Sequence, residues 1–459
     1  ATTQIYTLSL HDALPISSRI IQRISFSDRK SKSAKNRFSA NDVLYGKLRP
    51  NLNKVLIAME GGVCTTEIVP LRCPADILLP HYLFYALKRS DFLDYVAHVS
   101  HGIDMPRLGT EAGRAAEVPL APLPEQRRIV AKIDSLTGKS RRARDHLDNI
   151  PRLVEQYKQA VLAAACRGEL TREWRAKNKN NTGKREAENS IPNGPSMARA
   201  RVRKTAALTP DQIVGMWDGP TGWRWSQVGD CAFVTKLAGF EYTKHVKYEV
   251  SGDLRVIKAE NAGPNGFRET DYSRVSSDAV AMLSRSRLVG GELLVVFVGA
   301  GTGNVAVVPD ANDFFLGPNI GMVRPTPTAA LSRYLELFFR STRGRELLLA
   351  TSKAVAQPSL SMGAIRSTPV LLPPMTEQTE VVRSIETAFS WIDRLALEAT
   401  SARRLIDRLD QAVLAKAFRG ELVPQDPADE PACVLLERIR AERGSAPKVR
   451  RGRKARTAP

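Results

Sequence analysis

At 459 residues the chain is long enough for two to four domains with sizeable hydrophobic cores. Apolar content of 43% and charged content of 25% are ordinary for a globular protein, whereas a formal net charge of +20 points to a polyanionic partner, most economically nucleic acid. No run of about eighteen uncharged apolar residues exists to span a membrane, and five cysteines without a CxxC pair argue against a disulfide framework or zinc site and for a cytoplasmic protein.

Residues 1–17 lack an initiating Met and the basic start and small-residue exit of a signal peptide, so they are expected to be a non-native leader outside the fold. Residues 18–119 read as a mixed strand-and-helix region. Asp42-Val-Leu-Tyr and Lys54-Val-Leu-Ile-Ala suit strands joined by a Gly-Lys-Leu-Arg-Pro-Asn tip, and His81–Tyr95 carries apolar residues at helical spacing.

From Glu125 the period changes. Ile129, Ile133, Leu136, Ser140, Ala143, Leu147, Ile150, Val154, Tyr157 and Val161 hold an unbroken 4-3 alternation. Val381, Ile385, Ala388, Ile392, Leu395, Ala399, Ala402, Ile406, Leu409 and Val413 repeat it. More than four heptads predict a coiled coil formed by residues 120–170 and 372–422. At about 1.5 Å per residue each apolar stripe runs roughly 50 Å, and the two most simply bury each other. Pro151 predicts a bend or break in the first helix, where the second has Arg403.

Residues 171–222, polar and basic around Lys177-Asn-Lys-Asn-Asn, predict a flexible linker. A second mixed region spans 223–371. Residues 423–459 form a tail, expected to be disordered from Arg443 onward. The expected fold class is thus α+β: two mixed α/β regions separated by an antiparallel coiled coil of two long helices.

The halves match each other at an offset of 252 residues without a gap. Between 81–170 and 333–422 about 27 of 90 columns are identical, where composition alone predicts roughly five or six. Each copy is domain-sized, so one chain can engage two similar targets at once.

The Gly299-Ala-Gly-Thr-Gly-Asn304 run could cradle a phosphate or S-adenosylmethionine. A dinucleotide fingerprint needs a helix to follow, however, and Val305-Ala-Val-Val reads as a strand, so a hairpin loop is predicted. No P-loop and no Asn-Pro-Pro-aromatic motif is present, and His98 and His101 lack a third ligand. No catalytic or metal-binding residue is therefore assigned, and no cofactor is expected on this chain.

DNA-binding candidates lie at loop tips. Lys47, Arg49, Asn51, Asn53 and Lys54 crowd the first tip; Arg and Lys suit guanine edges or phosphates, and Asn suits adenine. Thr302 and Asn304 occupy the matching tip, where glycines allow close backbone approach. Arg107, and in the second copy Lys353, Gln357 and Ser359, supply donors just before the long helices. A solvated loop is the alternative for each.

Leu120-Ala-Pro-Leu-Pro-Glu125-Gln126 and Gln159-Ala-Val-Leu-Ala-Ala-Ala-Cys-Arg-Gly-Glu-Leu170 resemble the entry and exit of the first conserved region of type I restriction–modification specificity subunits. Leu372-Pro-Pro-Met-Thr-Glu377-Gln378 and Gln411–Leu422 repeat both. Trp223-Arg-Trp-Ser-Gln-Val-Gly-Asp230 resembles the start of a target-recognition domain, and Asp42–Lys54 its central hairpin. The resemblance implies two target-recognition domains on double-stranded DNA, each reading half of a split site across a spacer set by helix length. It also implies docking of two modification subunits, which methylate adenine, and of restriction subunits, with S-adenosylmethionine, ATP and Mg2+ held by those partners. No Trp-based opening precedes Asp42, so the first recognition domain is expected to be truncated. An inactive fragment of such a subunit, or a self-sufficient DNA methyltransferase, is the alternative reading.

Overall fold

The computed structural model describes residues 6–8, 24–25, 35–102, 105–178, 217–311, 313–350 and 359–445. The fold class is α+β, and the chain divides into two compact units: residues 1–148 with 399–459, and residues 149–398. No described helix is long and apolar enough to cross a membrane.

In the first unit the Val43–Gly46 strand is central, paired antiparallel with Val55–Ile57 on one side and Ile68–Leu71 on the other. Pro70, which cannot donate to a ladder, is accommodated because its strand lies at the sheet edge. A second sheet runs in the order Ile24–Ser25, Tyr6–Leu8, Gly62–Thr65, Lys35–Phe38. Tyr6–Leu8 thus pairs in parallel with Gly62–Cys64, which corrects the expectation that residues 1–17 lie wholly outside the fold.

The single helix expected over His81–Tyr95 is two, Pro80–Ala86 and Ser90–Val99. The break has a geometric cause. Leu83 and Phe92 are nine residues apart, about 180° around a continuous helix, yet both are buried in one core with Val43, Tyr45, Leu87 and Val96. Turning the chain at Arg89, whose backbone is extended, brings Phe92 back to the core, edge-on to Tyr45 at 6.1 Å between ring centres.

In the second unit, strands Val305–Val307, Leu293–Val296, Ile320–Pro325 and Ala232–Lys236 form an antiparallel sheet in that order. All four residues of Leu293–Val296 are buried, which explains an uninterrupted apolar run where alternation would mark a half-exposed strand. A second sheet orders Arg274–Val275, Leu254–Ile257, Phe314–Leu316 and Arg287–Leu288.

The helical segments run antiparallel in each unit. In the first, Ile129 and Ile133 of Leu123–Leu147 pack with Val413, Leu414 and Ala417, and Arg144 pairs with Asp407 at 2.8 Å and Asp410 at 2.6 Å. In the second, Leu162, Ala165 and Cys166 of Ile150–Cys166 pack with Val381 and Ile385 of the 44-residue Met375–Phe418 helix, and Lys158 pairs with Asp393 at 2.6 Å. The first long helix is interrupted at Asp148–Asn149, beside Pro151. Along the predicted seam Ile129, Ile133, Ser140, Val381, Ile385, Ile392 and Val413 are buried, whereas Tyr157, Leu395 and Leu409 are exposed.

The repeat is visible in hydrogen bonds. Tyr82 donates to the Pro119 carbonyl at 3.1 Å, and Tyr334 to that of Leu371 at 2.6 Å. Gln126 accepts the Leu79 N–H and donates to the Ile77 and Ala121 carbonyls; Gln378 does the same with Leu331, Ala329 and Pro373. The recurring Arg-Gly-Glu-Leu has a local cause. Gly168 and Gly420 adopt positive φ (72° and 77°), and Glu169 and Glu421 donate back to Ala164 and Lys416, closing the helix ends in a Schellman turn.

The linker expected over 171–222 is fixed at both ends; its middle, 179–216, lies outside the described residues. Arg172–Lys177 is helical, with Thr171 donating to the buried Glu377 carboxylate at 2.7 Å and Arg175 pairing with it at 2.5 Å. Trp217 donates to the Cys166 carbonyl at 3.1 Å and stacks on Phe338. The tail is likewise ordered over Ala432–Ser445, with Leu435 buried and Arg128 paired with Asp429 at 2.6 Å.

One cation in the first unit predicts a pH effect. Burial pushes the Lys88 ammonium down to about 8, with Arg141 and Arg144 adding to it and Asp410 opposing. The amine also lies over the Phe84 ring, 4.7 Å from its centre. A lysine lowered from 10.5 costs stability at neutral pH, and that cost fades as pH rises through the folded value toward the unfolded one. Lys88→Met is expected to raise the thermal midpoint near neutrality and flatten the gain in stability above about pH 8. An unchanged melting profile across that range would exclude Lys88 as its source.

Candidate nucleic-acid interface

Two hairpins present tips. In the first unit, Tyr45 pairs with Val55, and the connection contains a single 3-10 turn, Pro50–Leu52. The residues flanking that turn, Arg49 and Asn53, have left-handed backbone, with φ of 49° and 48°. Of the four non-glycine residues with positive φ among the described residues, three are Asn and the fourth is Arg49. Asn adopts this conformation readily, whereas Arg does so at a cost of about 1–2 kcal/mol. The fold holds it there: the Arg49 N–H donates to the Pro106 carbonyl at 2.7 Å, and Leu48 pairs with Arg107 as an isolated bridge.

Arg49, Asn51 and Arg107 are exposed, and Lys47 and Lys54 are half-buried. Arg107 pairs with Glu67 at 3.4 Å. Asn53 points inward, its Oδ1 buried with no hydrogen-bond partner among the described residues. The first tip therefore gathers Lys47, Arg49, Asn51, Lys54 and Arg107 around one outward-facing turn, with Asn53 beneath it.

The second tip differs. Val295 pairs antiparallel with Val305, so the glycine run is a hairpin loop. Within it Thr302 is buried and donates from Oγ1 to the Gly299 carbonyl at 2.7 Å. The Asn304 amide donates to the Ala262 carbonyl at 3.2 Å, and its Oδ1 accepts from Arg345 at 3.1 Å. Arg345 also donates to the Thr302 carbonyl at 3.0 Å. The Thr302 and Asn304 side chains hold the loop's shape, and close approach at this tip falls to the glycine backbone. Ser359 is half-buried and bridges Val298, as Arg107 bridges Leu48 in the other unit. Lys353 and Gln357 lie outside the described residues.

Each hairpin also rests on a buried carboxylate that the motif reading passed over. Asp42 accepts the Ser39 N–H at 2.8 Å and pairs with Arg72 at 3.2 Å. Glu292 accepts the Val289 and Gly290 N–H groups at 3.1 and 3.0 Å and pairs with Arg324 at 2.7 Å. Burial alone would raise the Asp42 carboxyl, but Arg72 and the Ser39 N–H together hold it below its ordinary value. The signal was present in both copies: an acid directly before an apolar strand, Asp42-Val-Leu-Tyr and Glu292-Leu-Leu-Val.

Comparison with known proteins bears on this geometry. Residues 220–396 match the family described as type I restriction modification DNA specificity domain. The chain is 27% identical over 390 residues to the type I restriction enzyme EcoKI specificity subunit of Escherichia coli strain K12, covering 81% of this chain and 74% of that protein. It is 24% identical over 404 residues to the EcoBI specificity subunit of Escherichia coli, covering 86% and 78%. Among solved structures, a chain from work on complex assembly and conformational transition of the type I R-M system superposes with a TM-score of 0.66 at 18% identity, over 91% of this chain and 92% of that one. The HsdS subunit from Thermoanaerobacter tengcongensis gives 0.51 at 18% identity, over 91% of each. At that identity both show the shared fold.

Proposed function

Because this chain belongs to the type I restriction–modification specificity-subunit family, we infer that it reads a bipartite DNA site, one half with each mixed region, and catalyses no reaction itself. It is a specificity subunit, and its task is sequence recognition in DNA. The observation that carries the bipartite reading is the duplicated set of ties: Gln126 and Gln378, Tyr82 and Tyr334, and a bridged hairpin tip in each unit.

The long helices are the proposed seat of two modification subunits and the element whose length sets the unread spacer. Supporting the first role, Trp391, Leu397 and Leu405 are each more than 60% exposed on the Met375–Phe418 helix, and large apolar side chains left in water commonly mark interaction surfaces. S-adenosylmethionine, ATP and Mg2+ would be held by the modification and restriction subunits, in the cytoplasm.

The test is at Lys47 and Arg49. Alanine at either position is expected to weaken specific DNA binding by about 1–3 kcal/mol, with a shallower salt dependence where a phosphate contact is lost. Arg49→Gly separates function from folding. Glycine adopts the left-handed backbone freely, so the thermal midpoint should hold or rise while affinity falls as in Arg49→Ala. Fluorescence anisotropy and melting of the same samples measure both; unchanged affinity and salt slope remove this tip from the interface.

A further inference from the structure

The unit of residues 149–398 exposes a second cationic surface outside the hairpin tip. On the Gly239–His245 helix Phe240 is 75% exposed, with Lys244 exposed one turn on and Lys247 and Tyr248 exposed just beyond. Side-chain bonds tie the segment down. Glu241 accepts the Ala238 N–H at 3.0 Å, and its two oxygens accept from Arg285 at 2.5 Å. Tyr242 and Tyr248 are joined through their hydroxyls at 2.9 Å, and the Lys258 amine lies 5.1 Å from the Tyr248 ring centre while donating to Ser273 at 2.7 Å. Arg285 stands on the Ala281–Ser286 turn, whose Met282 is 70% exposed.

Glu249 and Glu260 are exposed around Tyr248, so the positive excess is carried by the helix and Lys247. Glu241 is the helix's one acid and is neutralised by Arg285, whereas Lys244 and Lys247 meet no carboxylate among the described residues. A single exposed aromatic is ordinary on a protein surface. One on a helix tied down through Glu241 and Arg285, with Lys244 and Lys247 exposed after it, has the chemistry of an apolar wedge: the ring enters between base steps while the cations neutralise flanking phosphates.

Resting on the DNA-recognition reading above, we propose that the Gly239–His245 helix is a DNA contact of the second region, with Phe240 entering the base stack and Lys244 and Lys247 on phosphates. The insertion makes recognition depend on how easily one base step unstacks, so specificity reaches positions that no side chain hydrogen-bonds.

The test uses the full chain co-purified with its modification subunit. The duplex carries the split site located by methylome sequencing, with 2-aminopurine placed in turn along the second half-site. With the natural chain, fluorescence is expected to rise at one step. Phe240→Ala should abolish that rise and weaken binding tenfold or more, with the thermal midpoint unchanged because the ring packs little. Lys244→Ala and Lys247→Ala should keep the fluorescence rise and each lower the salt slope by about one. A Phe240→Ala chain that binds and brightens the probe like the natural one overturns the proposal. So does one that melts many degrees lower, since Phe240 would then be structural. A natural chain that binds no duplex specifically overturns the DNA-recognition reading itself, and this contact with it.

Discussion

Replacing Glu292 by Ala is expected to destabilise the unit of residues 149–398 by about 3–5 kcal/mol, the cost of removing one partner from a buried ion pair. Glu292 is 1% exposed and answers three groups at once: the Val289 N–H, the Gly290 N–H and the Arg324 guanidinium. Without it, two turn donors lose their acceptor and a mostly buried cation loses its counter-charge. Gly290 has a φ of 94°, a conformation open to glycine and held in place by that carboxylate. The equivalent constellation in the other unit provides the control. There Arg72 is 71% exposed, so water solvates it with or without Asp42, and an exposed pair of this kind contributes little. Asp42→Ala should therefore cost the unit of residues 1–148 and 399–459 less than Glu292→Ala costs the other, because the cation it leaves behind is already in water. Equal effects at the two sites would show that burial does not separate the pairs.

What could be read from the chain, and what could not, divides along the range of the forces involved. The two hairpins were legible because an apolar run, a polar tip and a second apolar run are consecutive in sequence. The long helices were legible because a heptad repeat is local and is written twice. The inward turn of Asn304 was not, since Asn suits an adenine edge and a backbone carbonyl equally well. Its orientation is decided by Ala262 and Arg345, each about forty residues away. The order at the ends of the expected linker has the same origin. Thr171 and Arg175 are fixed by Glu377, a buried acid more than two hundred residues on.

One misreading had a local cause. The break near Arg89 follows from placing Leu83 and Phe92 in one core, which the 100° step per residue forbids to a continuous helix. The Gly239–His245 helix was overlooked because its two aromatics followed by basic residues match no named motif, although aromatic faces beside cations suit nucleic acid.

Gln378→Leu should cost the unit of residues 149–398 about 3 kcal/mol or more, although volume and apolar packing are nearly conserved. Gln378 is fully buried at the start of the Met375–Phe418 helix. Its Oε1 accepts the Leu331 N–H at 2.9 Å, and its Nε2 donates to the Ala329 and Pro373 carbonyls at 3.2 and 3.0 Å. Leucine removes the partner of all three; the Pro373 bond is buried and those of Leu331 and Ala329 partly so, and a fully buried orphan costs about 1–3 kcal/mol. Gln378→Glu sharpens the argument. A carboxylate can still accept from Leu331 but cannot donate to two carbonyls, so the ionised form is disfavoured in the fold and the new group's folded pKa lies above its unfolded value. Its destabilisation is therefore full at neutral pH and shrinks as pH falls through the folded pKa, because the protonated acid regains a donor. Melting curves of Gln378→Leu and Gln378→Glu between about pH 4.5 and 7 should converge on neither the same midpoint nor the same slope: the leucine variant stays uniformly low, and the glutamate variant recovers toward the natural chain on acidification. Gln126→Leu should cause the matching loss in the other unit, where Leu79, Ile77 and Ala121 stand in the same places. A leucine variant melting within a degree or two of the natural chain would mean that these glutamines do not tie the long helices to the regions they carry.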